Sequence, residues 1–398
     1  MSATTDAEIT PFRVDIPDAQ LDDLRERLAR TRWPDQLPGT GWQYGVPLDY
    51  LRELARYWHD EYDWRAQEAR LNEYPQFTTT IDGANIHFYH ARSAEPAAVP
   101  ILLAHGFPGS VVEFLQVIGP LVDPVAHGGS ASDAFHVICP SLPGYGFSGP
   151  TVDTGWHPYR AGQAFVTLMH RLGYDRYGAH GTDWGSRIVR DMGLVDPDHL
   201  IGIHRTILHA PPRPDDDLST YTESDLDRLA DIAHFGAELS GYMLIQSTRP
   251  QTLSYALTDS PVGQLAWIVE KFKEWTDSVS APEDAVDRDL MLTDVMLYWL
   301  TGTAGSSSRL YYELRHWSQN DRPDPRVNWN TPVASPVPTG VAVFPREVMR
   351  PLRRLSEETD NIVHWSEFDR GGHFAGLEVP DLLIDDLRSF FRRFRGRG

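Results

Sequence analysis

The stretch AHGTDWGSRI, residues 179–188, lies between two patterns that indicate different secondary structure. The run before it, RYGAHG, is typical of a short buried strand, and the run after it, SRIVRDMGL, is typical of a helix. At the junction, Gly181, Asp183 and Gly185 form a G-x-Nu-x-G frame. In this context the frame predicts a sharp turn that holds the Asp183 side chain exposed above a sheet. The alternative is an aspartate that only caps the helix beginning at Trp184.

The flanking sequence predicts the sheet that such a turn needs. From about residue 99, apolar runs such as VPILLAHGF, AFHVICP and LIGIHRTIL alternate with helix-like segments, which indicates a doubly wound α/β sheet. The alternation stops near residue 211 and resumes with GVAVF, NIVHWSEF and the helix PDLLIDDLRSFFRRF. We therefore expect an α/β core at 96–210 and 331–398, and a helical cap at 211–330 over the edge where such sheets bind ligands.

Residues 1–95 are expected to form an N-terminal extension. IPDAQLDDLRERLARTRWPD and PLDYLRELARYWHDEYDW each place apolar residues on one face of a helix, with Asp18 as the N-cap of the first. QFTTTIDGANIHFYHAR then predicts two strands around the Asp82-Gly83 turn.

Composition limits the partners. The chain has 36 basic and 56 acidic residues and a net charge of −20, which disfavours nucleic acid and anionic membranes. Cys139 is the one cysteine and lies in an apolar run, so neither disulfides nor a cysteine metal site are expected. There is neither a signal-peptide pattern nor a run of about 18 apolar residues. We expect a soluble cytoplasmic protein without a membrane anchor, and a homodimer is compatible with the sequence.

Two further segments predict groups that would act with Asp183. The loop HGFPGS, residues 105–110, follows the first core strand, so the backbone N–H groups of Phe107 and Trp184 could together stabilise an oxyanion. In this loop His105 is read as structural. The segment DRGGHFAGLEVP places His373 after a strand and before a helix, where the histidine of a nucleophile–acid–histidine order belongs.

The acid of this set should precede His373. VAVFPREVMR offers Glu347 just beyond a strand, with Asp360 and Asp369 as rivals and a surface salt bridge as the alternative role of Glu347.

A carboxylate suits different chemistry from a serine. Attack by a carboxylate on a carbonyl would give an anhydride, whereas its attack on an sp³ carbon with a leaving group gives an alkyl ester. A histidine-activated water can then hydrolyse that ester. An epoxide and an alkyl halide both fit, and an epoxide also needs a proton donor. The tyrosines of the cap could donate that proton, and the residue pattern alone does not choose among Tyr242, Tyr255, Tyr298, Tyr311 and Tyr312.

Taken together, these segments resemble the epoxide hydrolases of the α/β-hydrolase superfamily, in particular the microsomal-type branch. The resemblance covers nearly the whole chain and includes PFRVDIPDAQLDDLRERLARTRWPD, HGFPGS, GTDWGS, GYMLIQSTRPQTLSYALTDSPVG, MLYWLTGTAGSSSRLYYE, VAVFPRE and RGGHF. It implies an α/β-hydrolase fold with a helical cap and an N-terminal extension that wraps around the core and braces the cap.

The resemblance also implies roles. It makes Asp183 the nucleophile, His373 the base and Glu347 the orienting acid, with Tyr242 and Tyr311 holding the epoxide oxygen. Phe107 and Trp184 match the oxyanion-hole positions. No cofactor and no metal are implied.

The chain departs from the family pattern in two places. Thr182 stands where the family usually has glycine, and the adjacent Tyr312 leaves the Tyr311 assignment open. The expected reaction converts an epoxide and water to a vicinal diol, and the aromatic cap suggests a bulky apolar substrate. A haloalkane dehalogenase is the second reading, although the Phe107 side chain offers no N–H to a halide. A non-catalytic ligand-binding protein of this fold is the third.

Overall fold

The computed structural model describes residues 8–210, 212, 216–317 and 333–395. Its centre is a nine-stranded sheet in the order β1-β2-β3-β5-β4-β6-β7-β8-β9. The pairs β1–β2, β2–β3 and β3–β5 are antiparallel, and the other neighbours are parallel. The strands are β1 Thr10–Phe12, β2 Gln76–Ile81, β3 Ala84–Ala91, β4 Val99–Ala104, β5 Phe135–Pro140, β6 Tyr177–Gly181, β7 Leu200–Arg205, β8 Ser335–Val343 and β9 Asp360–Glu367.

Helices lie on both sides of this sheet and above one edge of it. They are α1 Asp18–Ala29, α2 Leu48–Asp60, α3 Trp64–Leu71, α4 Leu115–Val122, α5 Pro158–Arg171, α6 Asp183–Val195, α7 Glu223–His234, α8 Gly241–Thr248, α9 Pro250–Asp259, α10 Pro261–Glu274, α11 Arg288–Thr301, α12 Ala304–Ser307, α13 Arg309–Trp317, α14 Arg353–Ser356, α15 Ala375–Glu378 and α16 Pro380–Phe391. The fold is the α/β-hydrolase fold that the sequence predicts. We call the helices α7–α13, between β7 and β8, the cap.

The core strands are buried on both faces because they carry continuous apolar runs. In β4 the residues from Ile101 to Ala104 are fully buried, and Cys139 in β5 is buried as predicted. Parallel pairing sets Ala104 beside Gly181, and Gly181 beside Arg205. The loops that leave β4, β6, β8 and β9 therefore emerge at one edge of the sheet, and the predicted chemical groups lie on them.

The N-terminal extension contacts the cap through specific side chains. Tyr57 donates a hydrogen bond to Asp289 at 2.8 Å, and Trp58 Nε1 lies 3.2 Å from Met296 Sδ. The hydroxyls of Tyr62 and Thr293 are 2.8 Å apart. These contacts hold α2 and the segment after it against α11.

Most predicted elements are confirmed, and two boundaries differ. The hairpin around Asp82 is present, with Asp82 at φ 50°. Asp18 is the first residue of α1 rather than its N-cap, because Pro17 already has the extended conformation of a cap. Strand β8 begins at Ser335, earlier than the GVAVF run, because SPVPT also pairs with β9. No helix among the described residues is long and apolar enough to cross a membrane.

Candidate active site

The turn between β6 and α6 is as sharp as the glycine frame predicts. Asp183 has φ 44°, a left-handed conformation that costs energy for a residue with a Cβ atom. The flanking glycines allow it, since a Cβ on Gly181 would lie 2.3 Å from the Gly185 carbonyl. A Cβ on Gly185 would lie 1.9 Å from Ala104 O. The turn therefore fixes where the Asp183 carboxylate points.

Thr182, the departure from the family pattern, fits this turn without strain. Its backbone is extended, with φ −108° and ψ 157°. Its hydroxyl donates to Glu113 Oε2 at 3.0 Å. Burial raises the pKa of this Glu113 carboxyl to about 8. Thr182 thus gives the buried Glu113 carboxyl group a hydrogen-bond donor beside the turn between β6 and α6.

His373 connects Asp183 to Glu347. Its Nε2 lies 3.4 Å from Asp183 Oδ2, and its Nδ1 lies 2.6 Å from Glu347 Oε1. Burial disfavours the charged imidazole, but the two carboxylates outweigh burial and raise the pKa of His373 well above its ordinary value. The histidine therefore carries a proton while both carboxylates are charged.

The other oxygen of Asp183 is held by the HGFPGS loop. Phe107 N donates to Asp183 Oδ1 at 2.8 Å. A Cβ on Gly106 would lie 2.0 Å from the same oxygen, so glycine is needed for the close approach. The two carboxylate oxygens thus face different groups, Oδ1 a backbone donor and Oδ2 the imidazole.

Two tyrosines of the cap face the same space. Tyr242 on α8 and Tyr311 on α13 are buried, and their ring centroids lie 6.0 Å apart. Burial, with a smaller contribution from the Asp183 charge, raises the pKa of Tyr242 well above its usual value. Burial also raises the pKa of Tyr311. Both phenols are therefore protonated and able to donate.

The other tyrosines are placed elsewhere. Tyr312 stacks on His316 at 3.8 Å, Tyr255 is 71% exposed, and Tyr298 donates to Gly109 O at 2.7 Å. Of the two adjacent tyrosines, Tyr311 lines the cavity and Tyr312 does not.

The two rivals of Glu347, Asp360 and Asp369, have other surroundings. Asp360 accepts a hydrogen bond from Arg205 at 2.9 Å, and Asp369 is exposed. His364 pairs with Asp386, and His105 interacts with backbone groups such as Gly106 O and Leu142 N. Among the candidates, Glu347 alone contacts His373.

The Asp183 carboxylate and the two phenols border a cavity of about 460 Å³, a size typical of small-molecule sites. Asp183, Trp184, Tyr242 and Tyr311 line it together with residues of α6, β7 and the cap. Trp184 places its indole edge-on to the Tyr311 ring at 4.8 Å. The cavity is thus a chamber between core and cap, with the carboxylate at one wall and the phenols at another.

Sequence reasoning did not find a lysine beside this chamber. The Lys271 side chain is only 2% exposed, and its Nζ lies 4.8 Å from the centre of the Tyr242 ring. The Trp267 and Trp275 rings also lie within 6 Å of it. The signal that could have found it is a charged residue on the apolar face of WIVEKFKEW.

One group outside the chamber has the composition of a metal site. His170 Nε2 and His199 Nδ1 lie 2.9 and 2.5 Å from the two oxygens of Asp196. These short contacts are hydrogen bonds to one carboxylate, and none of the three residues lines the chamber.

The chain is similar in sequence and structure to proteins of known class. A family model described as the N terminus of epoxide hydrolases matches residues 9–114, and one described as the alpha/beta hydrolase fold matches residues 99–378. A putative epoxide hydrolase of Stigmatella aurantiaca is 46% identical over 98% of this chain and 86% of its own length. Epoxide hydrolase 1 of Sus scrofa is 38% identical over 98% and 90%. The solved Aspergillus niger epoxide hydrolase superposes with a TM-score of 0.85 at 32% identity, covering 97% of this chain and 96% of the other.

The fold is that of an α/β-hydrolase, and the Asp183 carboxylate stands at the tip of the sharp turn after β6. With relatives of this identity and coverage, the chain belongs to the epoxide hydrolase family, and it is an enzyme of that class. The family resemblance found in the sequence is therefore confirmed.

Proposed function

We propose that the enzyme converts an epoxide and water to a vicinal diol through an ester between Asp183 and the substrate. The observation that carries the proposal is that the two oxygens of the Asp183 carboxylate face different groups. Phe107 N holds Oδ1 at 2.8 Å, while Oδ2 lies 3.4 Å from His373 Nε2. One oxygen is thus positioned to become the ester carbonyl, and the other to attack carbon.

In the first step, Asp183 attacks an epoxide carbon, and the bond from that carbon to the ring oxygen breaks. The ring oxygen takes a proton from Tyr242 or Tyr311, which border the same chamber. General acid help of this kind contributes about 10²–10⁴-fold. Ester formation removes one of the two carboxylates that raise the pKa of His373, so the imidazolium can return a proton to the phenolate.

In the second step, the neutral His373 takes a proton from water, and the hydroxide attacks the ester carbonyl carbon. The Phe107 N–H, with that of Trp184, stabilises the oxyanion. The bond between the substrate carbon and the ester oxygen remains intact, while the bond between the Asp183 carbonyl carbon and that oxygen breaks. The departing alkoxide takes the proton from His373, and the diol leaves. The Asp183 acid then gives its proton to His373, which restores the starting state.

The test is a variant that stops between the two steps. His373→Gln should accumulate the ester when mixed with a panel of epoxides and alkyl halides, and intact mass spectrometry should record a gain equal to the entire epoxide. Asp183→Asn should abolish the gain. His364→Gln is the matched control, because His364 pairs with Asp386 outside the chamber, and it should turn over without accumulation.

Three outcomes would count against this mechanism. An adduct that persists in Asp183→Asn would place the nucleophile elsewhere. A gain equal to an alkyl group without its halogen would indicate a dehalogenase. Epoxide left intact by the wild type across the panel, yet bound, would indicate a binding protein.

A further inference from the structure

A buried ammonium group lies beside one of the two phenols of the chamber. Lys271 is on α10, its side chain is 2% exposed, and its Nζ lies 4.8 Å from the centre of the Tyr242 ring. The Trp267 and Trp275 rings lie 5.9 and 5.8 Å from the same atom. Tyr242 and Trp275 line the chamber, whereas Lys271 does not. Any effect of this charge on a substrate therefore passes through the aromatic rings.

The surroundings of Lys271 stabilise a positive charge without cancelling it. Burying an ammonium group costs free energy unless partners compensate for the lost water. Glu270 pairs with Lys271 Nζ, but the Glu270 side chain is 32% exposed, so that water screens its charge. The faces of the three rings attract the cation from within the protein. These contacts place a positive charge against the ring of Tyr242.

A second carboxyl group in this region, Glu274, carries only part of a negative charge. Burial raises the pKa of Glu274 to about 7, although the charge of Lys271 opposes this. At neutral pH a large fraction of this carboxyl is therefore protonated. The positive charge of Lys271 is thus only partly neutralised by its two acidic neighbours.

The proposed reaction needs a positive charge near Tyr242. Burial, with smaller contributions from the charges of Asp183 and Glu347, raises the pKa of the Tyr242 phenol well above its usual value. Transfer of its proton to the ring oxygen of an epoxide therefore leaves a phenolate that this environment disfavours. The ammonium group of Lys271 lowers that cost, because it is already in place beside the ring on which the negative charge develops.

Tyr311 has different surroundings. Its ring lies edge-on to the Trp184 ring at 4.8 Å. Among the described lysines and arginines, none lies over the Tyr311 ring within the roughly 6 Å of a cation–π contact. The two phenols border the same chamber, but their environments differ by one positive charge.

We propose that Lys271 makes Tyr242 the phenol that transfers its proton to the epoxide oxygen, while Tyr311 keeps its proton and donates a hydrogen bond. The Tyr242 O–H bond breaks, its electron pair stays on the phenolate, and the proton forms a bond to the ring oxygen. Lys271 keeps its own protons and stabilises the phenolate until the His373 imidazolium returns a proton. Lys271 acts through Tyr242 and is a positioning residue. The inference rests on the proposed function, since it concerns the ring-opening step.

The test measures ester formation and ester hydrolysis separately in Lys271→Met, which keeps the length of the side chain and removes its charge. At about 5 Å and an effective dielectric constant of about 20, two unit charges change an equilibrium by roughly 10²-fold. The charge on Tyr242 is only partly developed in the transition state, so ester formation should slow about tenfold. Hydrolysis of the formed ester should be unchanged, and Lys271→Arg should restore most of the rate.

The rates are measured by rapid quench with intact mass detection. The substrate is the first epoxide of the panel that the wild type hydrolyses, beginning with styrene oxide. Lys273→Met is the matched control, because Lys273 lies two positions further along α10 and therefore near the opposite face of the helix. This control should leave both steps unchanged.

A double-mutant cycle separates the proposed role from packing. Tyr242→Phe keeps the ring, so a lysine that only packs against the ring would cost as much to replace in this background. We expect Lys271→Met to have no further effect on ester formation in Tyr242→Phe and to keep its effect in Tyr311→Phe.

A comparison without any lysine variant guards against misfolding of Lys271→Met. Tyr242→Phe should slow ester formation about tenfold more than Tyr311→Phe does, because only the first variant removes the phenol that the ammonium group assists. Circular dichroism checks that both variants are folded.

The results separate this inference from the proposed function. Four outcomes would overturn the role of Lys271: an unchanged rate of ester formation in Lys271→Met, equal slowing of both steps, an undiminished effect in Tyr242→Phe, or a loss in Tyr311→Phe as large as that in Tyr242→Phe. In each of them the ester at Asp183 would still support the epoxide mechanism. If the wild type hydrolyses no epoxide of the panel, the proposed function fails, and this inference fails with it.

Discussion

Replacing Glu347 with glutamine should slow ester hydrolysis more than ester formation. The carboxylate accepts from His373 Nδ1 at 2.6 Å and from Val348 N at 2.8 Å. Glutamine keeps the size and an acceptor oxygen but removes the charge. A hydrogen bond to a charged group contributes about 1.5–3 kcal/mol and a neutral one about 0.5–1.5 kcal/mol. The difference of about 1–2 kcal/mol corresponds to roughly 5- to 30-fold in the hydrolysis step.

The rate of hydrolysis decreases more than that of ester formation because hydrolysis needs the imidazole as a base. Without the Glu347 charge, the pKa of His373 falls, and the imidazolium formed in hydrolysis loses its partner. In single-turnover experiments with rapid quench and intact mass detection, Glu347→Gln should accumulate ester that the wild type does not.

Asp386→Asn is the matched control for this variant. It removes another buried carboxylate that accepts from a histidine, His364 Nε2 at 2.8 Å, but it does not line the chamber, so it should not change the ratio of the two steps. Equal slowing of both steps by Glu347→Gln, or no slowing of hydrolysis, would refute the assigned role of the acid.

Three other outcomes are expected. Gly106→Ala should abolish ester formation in a folded protein, because the new Cβ would lie 2.0 Å from Asp183 Oδ1; circular dichroism and adduct mass check this, and normal labelling would contradict it. Tyr311→Phe should slow ester formation by up to about 10²-fold in stopped flow while hydrolysis of the formed ester stays within a few-fold, since the phenol acts on the epoxide oxygen alone. On lowering the pH from about 6.5 toward 4, the melting temperature of the wild type should fall relative to that of His87→Gln, because burial lowers the pKa of His87 to about 3. In that interval the unfolded wild type binds a proton at this histidine that the folded chain does not, so an equal pH dependence of the two melting temperatures would refute this account.

The parts of the fold that could be predicted are those determined by residues close together in the sequence. The β6–α6 turn was readable because glycine spacing, a strand pattern and a helix pattern agree within ten residues around Asp183. His373 was readable for the same reason, as a histidine in a glycine-rich approach between a strand and a helix.

The cap was harder to interpret because its residues act through contacts distant in sequence. Nothing local separates Tyr311 from Tyr312, and the choice depends on which face of α13 is turned toward Asp183. The ion pair of Arg205 and Asp360 in the chamber wall was also hidden, since the two residues are 155 positions apart and meet only through the sheet. An arginine on an amphipathic helix normally predicts a solvated face, so Arg187, which also lines the chamber, gave no signal.

The bracing of α11 by the N-terminal extension has a consequence for protein engineering. Tyr57, Trp58 and Tyr62 contact residues of α11, which is one of the helices of the cap. A cap taken from a relative would lack the matching partners of these three side chains. The distance between its tyrosines and the Asp183 carboxylate would then no longer be fixed. Recombination between relatives should therefore succeed when the first 95 residues and the cap are taken from the same parent, although strands β4–β7 lie between them in the sequence.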